Sequence, residues 1–191
     1  MIPDWKIREL GLIDNFIEEQ TYKRRLGTGL SSFGYDLRLS SKEFKYITRY
    51  TNQDIIDPKG FNRGLLEDCE LKIDPVYKDA YFILPPLSYG LGVSIEHITV
   101  PSFLTGRVVG KSTYARSGII CPITPIEAGW KGYLTIELFN ATPLPVKIYA
   151  NEGCCQVLFE ESSEGECETN YDDRSGKYQN QKENIQIAKV N

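Results

Sequence analysis

Between about residues 71 and 160 the chain is built from short runs rich in β-branched and aromatic residues, cut by proline and glycine. Tyr81-Phe82-Ile83-Leu84, Leu91 to Val100, Leu104 to Val109, Tyr133 to Phe139, Val146 to Ala150 and Gln156 to Glu160 each predict a strand. Tyr35-Asp36-Leu37-Arg38-Leu39 alternates in the same way. A helical period occurs near the start of the chain, where Ile7 and Leu10 stand three apart. Asp4 as N-cap and Gly11 as stop complete one short helix. Turn-rich stretches at 24–32 and at Asp57-Pro58-Lys59-Gly60 separate these elements. Strands of this length and spacing predict an antiparallel, mainly β barrel or sandwich. The acidic cluster Glu160, Glu161, Glu164, Glu166 and Glu168 reads as a solvated loop, and the polar segment from Thr169 as a mobile tail. The expected organisation is a domain over 1–168 and a tail over 169–191.

Composition narrows the functions. At 191 residues, 41% of them hydrophobic, the chain suits one domain with a substantial core. Its 22 basic and 26 acidic residues give a formal net charge of −4, so nothing global attracts nucleic acid or an anionic membrane. With neither a spanning apolar run nor a signal-peptide pattern, a cytoplasmic protein is expected, and the sequon Asn140-Ala141-Thr142 is read as idle. Five cysteines, two of them adjacent, suit free thiols. The single histidine, His97, lies in an alternating stretch and reads as an ordinary strand residue. No C-x-x-C, H-E-x-x-H or other Cys/His cluster has zinc-ligand spacing.

Two places carry chemistry. Gly106 to Thr113 has three residues between its glycines where a P-loop needs four, and no long helix follows. Lys111, Ser112, Thr113 and Arg116 nevertheless gather two cations, two hydroxyls and backbone N–H groups at one turn, which fits a phosphate cradle and a solvated basic turn equally well. In Tyr133 to Phe139, alternation puts Leu134, Ile136 and Leu138 on one face and Tyr133, Thr135, Glu137 and Phe139 on the other. Glu137 is thus a carboxylate in a strongly apolar strand. If its face is buried, desolvation raises its pKa toward the range useful for proton transfer; if the face is open, it is a solvated surface group.

Gly110 to Gly118, Thr124-Pro125-Ile126-Glu127 with Trp130, Leu134-Thr135-Ile136-Glu137, Thr142-Pro143-Leu144-Pro145 and Asp173 to Gln181 occur in one order along the chain. Together with Ser32-Phe33-Gly34-Tyr35-Asp36 and Ile56-Asp57-Pro58, they resemble the dCTP deaminases of the dCTP deaminase/dUTPase superfamily. The resemblance implies a distorted antiparallel, dUTPase-like β-barrel with short helices, a homotrimer with sites between subunits, and zinc-independent hydrolysis of dCTP to dUTP and ammonia, which supplies thymidylate synthesis. That agrees with the missing zinc-deaminase signature. By position it implies Glu137 as general acid/base, with Ser112 and Arg116 holding the attacking water and the carboxylate. It implies sugar and phosphate contacts from Lys111, Ser112, Thr113, Thr135, Gln156 and the tail residues Tyr171, Lys177 and Gln181, with Mg²⁺ carried on the triphosphate. The backbone at Ile123-Thr124 would read the base, and dTTP is a candidate inhibitor.

Three positions depart from the family pattern. Cys121-Pro122 replaces a small or β-branched residue followed by Asn, and Pro122 removes a backbone donor. Ala128 stands where Pro is usual. Glu127 stands for the superfamily's Asp, which contacts the deoxyribose 3′-hydroxyl. The alternatives are a bifunctional enzyme that carries dUTP on to dUMP and diphosphate, and a non-catalytic dNTP-binding regulator.

Overall fold

The computed structural model describes residues 1–18, 24–47, 55–122 and 124–190. Two short helices, α1 (Asp4–Leu10) and α2 (Ser112–Arg116), and twelve strands form among them. The strands are β1 (Gly29–Ser31), β2 (Gly34–Ile47), β3 (Leu66–Asp68), β4 (Lys72–Ile73), β5 (Ala80–Leu84) and β6 (Tyr89–Thr99). They continue with β7 (Leu104–Gly110), β8 (Ile119–Ile120), β9 (Pro125–Ile126), β10 (Lys131–Asn140), β11 (Val146–Tyr149) and β12 (Gly153–Glu161). Every predicted strand is present. Among the described residues no helix is long and apolar enough to cross a membrane.

The main sheet runs β8-β10-β6-β2-β12-β7-β9, with β1 and β3 also on β2, and a second sheet runs β11-β5-β4. Strand β2 turns the corner, pairing with β12 through residues 35–38 and with β6 through 39–46. The expected barrel is a strongly curled, antiparallel half-barrel. Its two ends, β8 and β9, have two residues each and are separated by a stretch containing Pro122, which cannot donate to a ladder. Inside the curl, Tyr35, Leu37 and Leu39 alternate inward, and Phe44 stacks on Phe82 at 5.1 Å.

Three local features differ from the sequence expectation. Helix α1 has Pro3 as its N-cap and Asp4 as its first helical residue, because the first helical bond, from the Ile7 N–H at 3.1 Å, goes to the carbonyl of Pro3, which is itself extended. Helix α2 replaces the expected basic turn. Strand β2 runs to Ile47, eight residues past its predicted end, by taking up the polar residues 40–43 in a register shift against β6.

The most consequential irregularity is a bulge in β6. Tyr133 of β10 pairs with His97 but Thr135 pairs with Val93, so three residues of β6, Ser94 to Glu96, oppose Leu134 alone. Two buried side chains satisfy the broken ladder. Ser94 Oγ accepts from the Leu134 N–H at 2.8 Å and donates to the Glu96 carbonyl at 2.7 Å. The fully buried Glu96 carboxylate accepts from the Arg38 N–H at 2.9 Å and from Arg38 Nε at 2.7 Å.

Burial holds the Glu96 pKa above the ordinary carboxylate range even though Arg38 pulls it down. Replacing Arg38 by Ala strands that carboxylate. The variant is expected to lose about 3–5 kcal/mol of stability in urea denaturation at neutral pH. The loss should shrink as pH falls: a group that binds its proton more tightly when folded stabilises below its unfolded pKa, and that stability disappears as pH rises. A loss that is independent of pH would contradict this account.

Candidate active site

A cavity of about 440 Å³ opens beside β10 and β6. Glu137 and Thr135 of β10, Tyr89 and Leu91 of β6, and Trp130 line it. The β6 bulge turns Leu134 into the same wall, although strict alternation assigns it to the opposite face with Ile136 and Leu138. Thr124 and Glu127 form the lip contributed by the stretch that includes β9. Ile123, its expected partner in reading a base, lies outside the described residues.

Glu137 sits opposite Leu91 in the ladder, half-buried, and burial pushes its pKa up. Only a hydrogen bond from its own backbone opposes the shift. Tyr89 is pushed up to about 12, first by burial and then by the Glu137 charge. This is the surrounding a carboxylate needs to exchange a proton with a bound molecule near neutral pH.

The tail closes this cavity within the same chain. Tyr171 and Gln181 line it, and so do Tyr178 and Gln186 to Ala188, which the sequence did not single out. The Trp130 indole donates to the Tyr178 carbonyl at 2.9 Å, and Thr135 Oγ1 accepts from Gln181 Nε2 at 2.5 Å and from the Gln186 N–H at 3.1 Å. Gly132, at φ +149°, allows the approach, since a Cβ there would stand 2.7 Å from the Gln181 nitrogen. Lys177 is exposed, its ammonium 5.4 Å from the Tyr178 ring centroid.

The remaining predicted residues form a second group that does not line the cavity. Lys111 Nζ donates to Asp36 Oδ2 at 2.6 Å, while Gln156 Nε2 donates to Asp36 Oδ1 at 3.2 Å and to Ser31 Oγ at 3.0 Å. Asp36 is buried and holds two expected phosphate ligands side by side, a role its place in a plain alternating strand did not reveal. Ser112 and Thr113 are exposed on the first turn of α2, and Arg116 on its last, where Nη1 reaches the Ser112 carbonyl at 3.3 Å. Glu127 is exposed, 3.8 Å from Arg174 Nη1. His97 of β6 packs edge-on against Tyr133 of β10, apart from the cavity lining. Among the described residues no group of three or more His, Cys, Asp or Glu side chains is arranged to hold a metal ion.

Comparison with known proteins fixes the family. The family described as dCTP deaminase-like matches residues 6–162. A dCTP deaminase of Wolbachia sp. subsp. Brugia malayi (strain TRS) is 45% identical over 185 residues, covering 95% of this chain and 94% of that protein. One from Acidobacterium capsulatum is 48% identical over 171 residues, 90% of this chain and 87% of that protein. The chain belongs to the dCTP deaminase-like family. A solved 2′-deoxycytidine 5′-triphosphate deaminase from Agrobacterium tumefaciens shares the fold, with a TM-score of 0.56 at 17% identity over 84% of this chain; the chain spans about half, 47%, of that structure's length.

The tail adds little to the core beyond Ile185, yet it covers Trp130, which is 5% exposed, whereas Trp5 is 56% exposed. Truncation before Thr169 is expected to leave the far-UV circular dichroism unchanged and to shift tryptophan emission to the red. Unchanged emission would mean that the tail does not seal the cavity in solution.

Proposed function

We propose that this chain is a dCTP deaminase that hydrolyses dCTP to dUTP and ammonia. The observation that carries the proposal is Glu137, a carboxylate raised in pKa by burial in a largely apolar cavity, in a chain about 45% identical to dCTP deaminases along most of its length. In this reading Glu137 takes a proton from a water that attacks C4 of cytosine. It delivers that proton to N3, then takes the proton of the new C4 hydroxyl and passes it to the amine as the C4–N bond breaks and the C4 carbonyl forms, so that one carboxylate serves as base and acid in turn. Aromatic and aliphatic walls exclude bulk water, and the backbone at Thr124 presents polar groups to the base.

The other half of the machinery is supplied by a neighbouring copy. Lys111, Ser112, Thr113, Arg116 and Gln156 do not line the cavity of their own chain, which supports a homotrimer whose sites lie between subunits. Ser112 and Arg116 then hold the water and the Glu137 carboxylate, and the Arg116 guanidinium stabilises the ionised form that burial disfavours. Lys111, Thr113 and Gln156, with Tyr171, Lys177 and Gln181 of the tail, bind sugar and triphosphate, and Thr135 and Glu127 face the deoxyribose. The donors here are ammonium, hydroxyl and amide groups, which suit phosphate oxygens. Mg²⁺ therefore arrives on the triphosphate and offsets its charge. Closure of the 169–191 tail over bound nucleotide completes the site.

Two experiments test this. Glu137→Gln keeps the side-chain shape and is expected to lower kcat by about 10²- to 10⁴-fold with little change in dCTP affinity. Retention of near-normal turnover would remove Glu137 from the chemistry. Co-expressing Glu137→Gln with Arg116→Ala, each inactive alone, is expected to restore activity at about a quarter of the sites, by random assortment in a cyclic trimer. Absence of any rescue would place both residues of a working site in one chain.

A further inference from the structure

Three of the five cysteines form a cluster that the deamination chemistry does not use. Cys154 and Cys155 are adjacent in β12 and would normally point to opposite faces. A register shift between Gly153 and Cys155 instead brings their sulfurs to 4.0 Å, with Cys154 Sγ also 3.5 Å from the Leu37 carbonyl. The third thiol comes from the other side. Cys155 lies directly opposite Gly110 of β7, and Cys121 packs over Gly110, its Cβ 3.4 Å from an ideal Cβ on that glycine. Directly opposed Cβ atoms in an antiparallel pair lie about 4.5–5.5 Å apart, so Cys121 is packed against the face from which Cys155 projects. Each of the two thiols is the first influence on the pKa of the other.

We propose that Cys121 and Cys155 form a reversible oxidation site, a dithiol that hydrogen peroxide converts to a disulfide, and that forming this bond slows deamination. The alternative pairing within Cys154-Cys155 is disfavoured, because neighbouring Cα atoms are about 3.8 Å apart across a trans peptide and disulfides need about 4.4–6.8 Å. The division of labour follows from the surroundings. Cys121 is half-buried and its thiol is held below the usual range by the neighbouring Cys155 thiol, whereas Cys155 is fully buried and held well above it. Cys121 is therefore the attacking sulfur and Cys155 the resolving one.

The steps balance. The Cys121 thiolate displaces hydroxide from the peroxide O–O bond, forming a sulfenic acid, and its proton ends in water. The Cys155 thiol then attacks that sulfur, the S–O bond breaks, and a second water leaves. Two electrons pass from the two thiols to one peroxide, giving one disulfide and two waters.

Slowing follows from where Cys121 stands. It stands three positions before Thr124, which lines the cavity, and its thiol feels the Glu137 charge. Drawing Cys121 toward β12 shifts the backbone next to Thr124, and a misplacement of about 1 Å in an active site can cost about 10²-fold in rate.

The test uses the full chain, reduced and then treated with hydrogen peroxide, and rests on the dCTP deaminase reading only for its rate measurement. Tryptic peptides 117–131 and 148–174 are expected to appear as a joined pair, lighter by two hydrogens, with fragment ions assigning the bond to Cys121 and Cys155. Deamination is expected to fall by about tenfold or more, and to return with dithiothreitol. Cys121→Ser should keep basal activity and lose the response, while Cys154→Ser should keep both. Absence of the joined pair, a bond through Cys154 or Cys167, or a complete Cys121–Cys155 bond with unchanged rate would overturn the proposal. A reduced chain that never deaminates dCTP would overturn the functional reading and the claim of slowing, while the peptide masses still decide the oxidation site.

Discussion

The bulge at Ser94 to Glu96 is the constraint on which the candidate site depends. A regular ladder between β6 and β10 would keep Leu134 beneath the sheet and leave a strictly alternating face. With three residues of β6 opposing Leu134, the pairing resumes at Thr135 with Val93, and Leu134, Thr135 and Glu137 share one cavity wall. Such an interruption costs ladder hydrogen bonds. Here two side chains replace them: the Ser94 hydroxyl on the Leu134 N–H, and the buried Glu96 carboxylate on Arg38. The ion pair spans β2 and β6, so the corner of the half-barrel and the wall of the cavity are fixed by the same contact.

Around that wall the molecule separates two kinds of environment. The cavity is lined by aromatic and aliphatic groups and holds a carboxylate whose charge is disfavoured. The groups suited to phosphate sit elsewhere, with the Lys111 ammonium neutralised by buried Asp36 and Arg116 open to solvent on a five-residue helix. A nucleotide needs both: a dry pocket for its base, and cations with N–H donors for its phosphates. Under the trimeric reading, keeping them apart within each chain makes assembly a condition for catalysis.

Much of this was legible in the sequence. Period-two alternation located the long strands and marked Glu137 as a carboxylate in a strongly apolar strand, but it left open whether its face is buried or solvated; the catalytic role was implied by the family resemblance. Alternation failed at Leu134 because it assumes an unbroken register, and a bulge is decided by the partner strand. The helix at Ser112 to Arg116 was hidden by its five-residue length, which is too short to show a helical period. Asp36 read only as one polar position in an alternating strand, and only tertiary contact with Lys111 and Gln156 reveals its use. The tail's composition suggested mobility, yet its hydrogen bonds to Thr135, Trp130 and Lys131 lay with residues forty to fifty positions away and could not be read locally.

The central claim is that water, activated beside Glu137, replaces the amino group of a cytosine nucleotide and leaves the phosphates untouched. Turnover of dCTP with Mg²⁺ in ¹⁸O-labelled water tests it directly, with the product read by mass spectrometry. The account predicts dUTP carrying one ¹⁸O on the base and none in the triphosphate. Unlabelled base, or dUMP with label in the phosphate, would contradict it.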